Sequence, residues 1–197
     1  MSAFDVLKDL PQTIPGEGIV LTRDHAAFWP FIERLPPRER GYLKQTGCSA
    51  SVFASRDHYI DDIVPIFSTL GHGLALVNCW IVDSQLERIV GAIHIGGGAM
   101  NSDTIFHLGG YVLPAFRNRG YVSRGYKAAA AHMLSVGPTT HICAETRLSN
   151  TASKRSLLKA GFTDCGKGTS HARFHTGRVL RRFVITSQVP TWPYTSP

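Results

Sequence analysis

Residues 113–122 constrain this chain more than any others. An apolar, strand-like run ends at Pro114, a short basic loop Arg117-Asn118-Arg119-Gly120 follows, and a helical pattern starts at Tyr121. A strand that feeds a glycine turn and then a helix leaves the first helical amides without carbonyl partners, pointing out of the N-terminal end. The helix dipole adds partial positive charge at the same point, so the turn is an anion site before any side chain contributes. Arg117, Arg119, Arg124 and Lys127 crowd around it with no acid among them. A pyrophosphate is the natural guest of such a turn; an ordinary basic strand–helix connection is the alternative.

The flanking pattern predicts an α/β fold. A helix over 121–136 carries Val122, Tyr126, Ala129 or Ala130, and Met133 on one stripe at helical spacing. Upstream, residues 74–82 and 88–95 are apolar and β-branched and read as a hairpin. Glycines 96–98 with residues 101–103 read as a second turn into a strand over 104–113. There Ile105 and His107 share one face, Phe106 and Leu108 the other. Gly109 and Gly110 inside that strand predict a bulge or a close approach to the backbone. Downstream come a strand over 141–148, a helix over 150–160 between Asn150 as N-cap and Gly161, and strands over 162–165 and 179–186. This order predicts a mixed sheet. Residues 1–17, punctuated by Pro11, Pro15 and Gly16, read as a loose arm. Residues 18–23 read as a short strand, and 25–35 and 57–70 as helices. One domain over 18–186 and a tail over 187–197 follow.

Composition narrows the function classes. The chain has 197 residues, of which 43% are apolar and 18% charged, which suits one packed domain and excludes a largely disordered chain. No run approaches the ~18 apolar residues that cross a bilayer. The start carries Asp5 and Asp9 and lacks the layout of a secretory signal. Cys48, Cys79, Cys143 and Cys165 form no CxxC pair, which suits a reducing compartment. A cytoplasmic protein without membrane contact is expected. No metal is expected either: His171 and His175, with Cys165, lie in a turn-rich stretch without paired cysteines. Charge is uneven. Residues 1–100 hold 8 basic and 11 acidic groups (−3), residues 101–197 hold 13 and 3 (+10). Such a C-terminal half wants an anionic partner, either a phosphorylated cofactor, a nucleic acid or both. Arg178, Arg181 and Arg182 with Phe183 form a candidate basic-aromatic surface; a charged strand edge is the alternative.

The loop from Arg117 to Val122 resembles the acetyl-coenzyme A loop of the GNAT acetyltransferases, Arg-x-x-Gly-x-Gly/Ala. The run Phe106-His107-Leu108-Gly109-Gly110-Tyr111-Val112-Leu113-Pro114 resembles the family's bulged strand. Asn150-Thr151-Ala152-Ser153 and Lys159-Ala160-Gly161-Phe162 resemble the Asn-x-x-Ser … Lys-x-Gly-Phe ending of the branch that acetylates ribosomal-protein N-termini. The resemblance covers residues 74–165 and implies a mixed, mostly antiparallel sheet of six or seven strands, splayed at a β-bulge and flanked by helices.

It also implies transfer of acetyl from acetyl-coenzyme A to a primary amine by direct attack in a ternary complex. In that reading the amides of Arg119, Gly120, Tyr121, Val122 and Ser123 hold the pyrophosphate, and Arg117 and Arg124 add charge. Strand backbone at Tyr111 and Val112 pairs with pantetheine and offers an N–H to the thioester carbonyl. Asn150 bonds the pantetheine arm. His107 stands where that branch often carries glutamate, and an ordinary histidine pKa of about 6.5 suits a base at neutral pH. A half-exposed strand histidine without a role is its alternative. Glu145 is the second candidate base, or else the partner of an arginine. Val122 replaces the family's small Gly or Ala, and Leu157 stands where many members carry a general-acid tyrosine. Ser153 is then the candidate acid. The acceptor is expected to be a protein N-terminus, a small amine or aminoacyl-tRNA, and the enzyme a monomer or homodimer. Three rival readings stay open: a GNAT-like enzyme acting on nucleic acid, a non-catalytic module, and an antibiotic-modifying enzyme with Asp57, Asp61 and Asp62 in its cleft.

Overall fold

The computed structural model describes residues 6–7, 9–24, 74–100, 103–136, 141–169 and 179–186, with isolated positions at 30, 33, 36 and 37. The helices expected over 25–35 and 57–70, Cys48, the aspartates at 57, 61 and 62, His171, His175, Arg178 and the tail lie outside the described residues.

The described residues form one sheet of eight strands: β1 (Thr13–Gly16), β2 (Ile19–Thr22), β3 (Leu74–Asp83), β4 (Arg88–Met100), β5 (Asp103–Val112), β6 (His141–Thr146), β7 (Thr163–Thr169) and β8 (Val179–Thr186). Their spatial order is β1-β2-β3-β4-β5-β6-β8-β7. Among the described residues only β5 and β6 run parallel, joined by helix α1 (Tyr121–Val136); helix α2 (Thr151–Lys159) joins β6 to β7. A parallel neighbour needs a crossover long enough to return the chain, and α1 is that crossover.

The core lies between the sheet and α1. Ile81, Ile93, Ile95, Phe106, Ile142 and Phe183 are buried, as are Tyr126, Ala129, Ala130 and Met133 of the helix. The helix comes close because Gly125 has no side chain: a Cβ there would lie 2.9 Å from Ile93 Cδ1 and 3.2 Å from Ile81 Cδ1. Helix α2 is held at both ends by its sequence. Asn150 Oδ1 accepts from the Ser153 amide at 3.1 Å, and Gly161 takes a left-handed φ of 95° just past the last turn.

Four expectations are corrected. The sheet has eight strands rather than six or seven. Residues 13–16 are not a loose arm but an edge strand, with Val6, Leu7, Leu10 and Ile14 in the core. Glycines 96–98 lie within β4, paired with β3 on one side and β5 on the other, and do not turn. Finally, β4 and β5 pair one to one from Gly91↔Val112 to Met100↔Asp103, so Gly109 and Gly110 make no bulge against β4. The splay lies on the other side of β5.

Candidate active site

The ladder between β5 and β6 has only two pairs, Phe106↔Ile142 and His107↔Cys143, after which the strands part. Beyond that point β5 follows β4 and β6 follows β8. A wedge therefore opens in the sheet next to His107. Gly110 stands on this stretch for a reason of space: a Cβ there would meet Ile93 Cδ1 at 2.8 Å, the Ala92 carbonyl at 3.0 Å and Val122 Cγ2 at 3.1 Å. The close approach expected at the paired glycines is made by side chains of β4 and α1.

After β5 a short 3-10 turn (Pro114–Phe116) leads into the basic loop. Asn118 and Gly120 both adopt left-handed backbone, with φ of 62° and 76°. Glycine takes this conformation without steric cost and asparagine tolerates it better than most residues. The first rung of α1 is the Arg124 amide on the Gly120 carbonyl at 3.1 Å, and the Ser123 hydroxyl donates to the same oxygen at 2.8 Å. The amides of Tyr121, Val122 and Ser123 thus precede the helical ladder, at the positive end of the helix. The Val122 side chain packs toward Gly110, so it does not cover its own amide. Lys159, at the end of α2, brings Nζ within 3.6 Å of where a Gly120 Cβ would sit. The arrangement can hold a phosphate or pyrophosphate.

The loop's other side chains divide their tasks. Arg117 is exposed. The Arg119 guanidinium lies over the Phe116 ring at 5.9 Å, as does that of Arg88 at 5.3 Å. Arg124 turns the other way: Nη1 donates to the Glu17 carbonyl at 3.1 Å and the guanidinium lies 4.7 Å from the Tyr121 ring centre. The Tyr121 hydroxyl donates to Asp83 Oδ2 at 2.5 Å, while Asp83 Oδ1 accepts from the amides of Gln85 and Leu86. These bonds hold the Asp83 carboxyl below its ordinary range, and the bond to Asp83 pushes the Tyr121 hydroxyl up. Tyr121 and Arg124 therefore anchor the first turn of α1 to the β3–β4 and β1–β2 turns.

His107 and Glu145 share one face of the sheet. Gly96, His107, Cys143 and Val184 form a cross-strand row, and Glu145 with Arg182 forms the next row but one. His107 is half-buried; burial lowers its pKa, Glu145 raises it, and Arg182 and His141 lower it. Glu145, its side chain 6% exposed, accepts from Arg182 Nη2 at 3.2 Å. Its carboxylate meets the arginine that its alternative reading requires. Burial drives the thiols of Cys79 and Cys143 up to about 12 and about 11, so neither is a thiolate nucleophile near neutral pH. Asn150 and Ser153 meet at the start of α2 through the cap. Leu157 is buried in the core. Tyr111 and Val112, half-buried, end β5. Phe183 is fully buried and Arg181 is paired with Asp164 at 2.6 Å, so among the described residues of that stretch no aromatic ring is exposed beside the arginines.

Two residues escaped the sequence reading. Lys159 was noticed only as part of a motif, although its spacing places a cation at the end of a helix packed beside the loop. His94 lies in β4, opposite Gly109 in register. Its Nδ1 is hydrogen-bonded to Asn78 Oδ1, its Nε2 is buried without a hydrogen-bond partner, and burial drives its pKa down to about 4. Only the register, not the local pattern, puts it beside His107. Among the described residues no group of three His, Cys, Asp or Glu could hold a metal ion, and no helix is long and apolar enough to cross a membrane.

A family model described as an acetyltransferase (GNAT) domain matches residues 52–163. Among solved structures, the ribosomal-protein-S5-alanine acetyltransferase of Vibrio fischeri superposes with a TM-score of 0.64 at 12% identity, over 89% of this chain and 97% of that one. The acetyl transferase of Salmonella typhimurium that modifies the N-terminal serine of ribosomal protein L7/L12 gives 0.63 at 16%, over 89% and 99%. RimJ of Mycobacterium smegmatis, solved in complex with CoA-disulfide, gives 0.64 at 14%, over 89% and 86%. No curated protein matches the chain in sequence.

Proposed function

The chain belongs to the acetyltransferase (GNAT) family, and from that premise we propose that it transfers the acetyl group of acetyl-coenzyme A to a primary amine, by direct attack in a ternary complex. The observation that carries this reading is the loop: a left-handed Gly120, three amides ahead of the helical ladder, and Lys159 beside them. These residues fit a pyrophosphate, with backbone donors in front and a cation at the side. Acetyl-coenzyme A, when bound, supplies the acetyl group as a thioester, and coenzyme A leaves as the thiol.

The chain's own residues have three tasks. The loop binds the donor and fixes its position, converting a bimolecular encounter into one between held partners. The part of β5 that runs into the wedge, at Tyr111 and Val112, offers backbone hydrogen bonds to the pantetheine arm and to the carbonyl oxygen where charge develops. His107, at the mouth of the wedge, takes the proton released as the N–C bond forms and the C–S bond breaks. Its burial keeps it unprotonated at neutral pH, as a base must be. Ser153 is the candidate that protonates the leaving thiolate, and Asn150, through its amide nitrogen, the candidate partner of the pantetheine arm. The raised thiol pKa values of Cys79 and Cys143 favour direct attack over a cysteine-bound acetyl group. Ribosomal-protein acetyltransferases among the similar structures make a peptide N-terminus the first acceptor to try.

Isothermal titration with acetyl-coenzyme A, wild type beside Gly120→Glu, tests the reading. Binding by the wild type and its loss in the variant are expected, followed by acetylation within a panel of peptides and small amines. A wild type that binds no acetyl-coenzyme A would overturn it.

A further inference from the structure

We propose that His94 is the residue that receives the acceptor amine, its Nε2 lone pair bonding an N–H of the incoming nitrogen beside His107. The inference rests on the acetyl-transfer reading above and adds to it a binding group for the second substrate.

The tautomer follows from Asn78. A side-chain amide oxygen only accepts hydrogen bonds, so the imidazole nitrogen facing Asn78 Oδ1 carries the proton. Nε2 is then left with a lone pair. That atom is buried and has no hydrogen-bond partner. Buried polar atoms in native proteins are nearly always paired, and the exceptions mark places where a ligand or water completes the set. An amine N–H is the donor such a lone pair takes.

The register sets the position. His94 stands opposite Gly109, and Gly96 stands opposite His107. The two histidines are therefore diagonal neighbours on one face of an antiparallel pair, a spacing of about 7–8 Å. Each stands opposite a glycine across the β4–β5 pair, and the His94 ring lies 5.9 Å from that of Tyr111. His94 lies close against β5: its Cδ2 is 3.8 Å and its Cβ 3.9 Å from where a Gly109 Cβ would be. The gap the two histidines bracket adjoins the last β5–β6 pair, where the wedge opens.

The two imidazoles would divide the work. Burial keeps His94 neutral down to about pH 4, so it serves as a hydrogen-bond acceptor and not as a proton store. His107 faces Glu145, which favours its protonated form against the opposing Arg182, so it can carry a charge in passing. Asn78 is a positioning residue that acts through His94.

Nitrogen-15 spectra of the imidazoles test this without any turnover. His94 is expected as the Nδ1–H tautomer. Its Nε2 resonance should move on saturation with a seryl-alanyl-alanine peptide that has a free amino terminus, and stay in place with the N-acetylated peptide. His94→Gln is expected to leave the Kd for acetyl-coenzyme A unchanged and to raise the KM for the peptide about tenfold, with a smaller effect on kcat. Asn78→Ala, which frees Nδ1 without touching the amine, should repeat that KM effect, and carries the test if His94→Gln does not fold. An Nε2–H tautomer, an unmoved resonance in the free peptide, or an unchanged KM in both variants overturns the proposal. If acetyl-coenzyme A binding and amine acetylation are intact when that happens, only the role of His94 falls. A wild type that binds no acetyl-coenzyme A overturns both readings.

Discussion

Glu145 and Arg182 face each other across β6 and β8, with Oε1 accepting from Nε at 3.3 Å and from Nη2 at 3.2 Å, two residues along from the strand position that pairs with His107. An anion and a cation thus stand together next to the candidate base. Burial, the largest influence, lowers the His107 pKa; Glu145 raises it and Arg182 lowers it. A base works unprotonated, so kcat/KM falls as pH drops through that value. The acid limb is expected below the ordinary histidine pKa of about 6.5. Glu145→Gln should move the limb to lower pH, because the group that favours imidazolium is gone. His107→Ala should remove it and cost about a hundredfold or more in kcat/KM. A pH–rate series on the three proteins checks all of this, and a limb unmoved by His107→Ala would dismiss the base assignment.

The bond from Tyr121 to Asp83 gives a prediction about stability. Both groups are buried, and each substitution, Tyr121→Phe or Asp83→Asn, is expected to cost about 1–3 kcal/mol in urea unfolding. The folded Asp83 has a lowered pKa. Its contribution is therefore present above the unfolded carboxyl value of about 3.9 and is lost as pH falls through the folded one. Wild-type stability should drop more steeply than that of Asp83→Asn below about pH 4. Parallel slopes would mean that the carboxylate is not held by this bond.

Lys159 and Arg124 should separate cleanly. Lys159 Nζ sits beside Gly120, whereas Arg124 is spent on the Glu17 carbonyl and the Tyr121 ring. Lys159→Ala is expected to weaken acetyl-coenzyme A binding about tenfold and to flatten its salt dependence. Arg124→Ala should show first as a lower thermal midpoint. Titration calorimetry beside thermal unfolding compares them, and the reverse pattern would return Arg124 to the phosphate site.

Two glycines are predicted to resist alanine for different reasons. At Gly110 the added methyl meets Ile93, the Ala92 carbonyl and Val122 at 2.8–3.1 Å, an overpacking worth about 1–3 kcal/mol. Val122→Ala in the same chain should recover part of it. At Gly120 there is room, with Lys159 Nζ at 3.6 Å, but the φ of 76° costs a non-glycine residue about 1–2 kcal/mol. There Val122→Ala should recover nothing. Unfolding of the two singles and the two doubles decides.

The parts of the fold legible in the sequence are those whose causes are local. Helix α1 starts and ends where its stripe does, and Asn150 and Gly161 cap α2 as their residue types suggest. Other parts were decided by contacts between distant segments. Pro15 and Gly16 look like loop residues, yet β1 is an outer strand, where a missing N–H on the solvent side does no harm. Three glycines in a row look like a turn until partners on both sides hold them extended. Of the candidate site, the loop could be read because an anion site at a helix start is written in consecutive residues. The direction of Arg124 could not, since Glu17 lies 107 residues away. Nor could His94, whose place beside His107 depends on how two strands pair.

That same Arg124–Glu17 contact has a consequence for how the molecule comes to be active. The first turn of α1, at the end of the basic loop, is steadied by a hairpin at residues 13–22 and by a carboxylate at residue 83. Closing contacts over such long stretches of chain is slow, because the loop entropy is lost before the contact is gained. The anchors of the basic loop are therefore expected to close late in folding, and a chain begun after residue 22 would keep every loop residue and lose an anchor of the first helical turn.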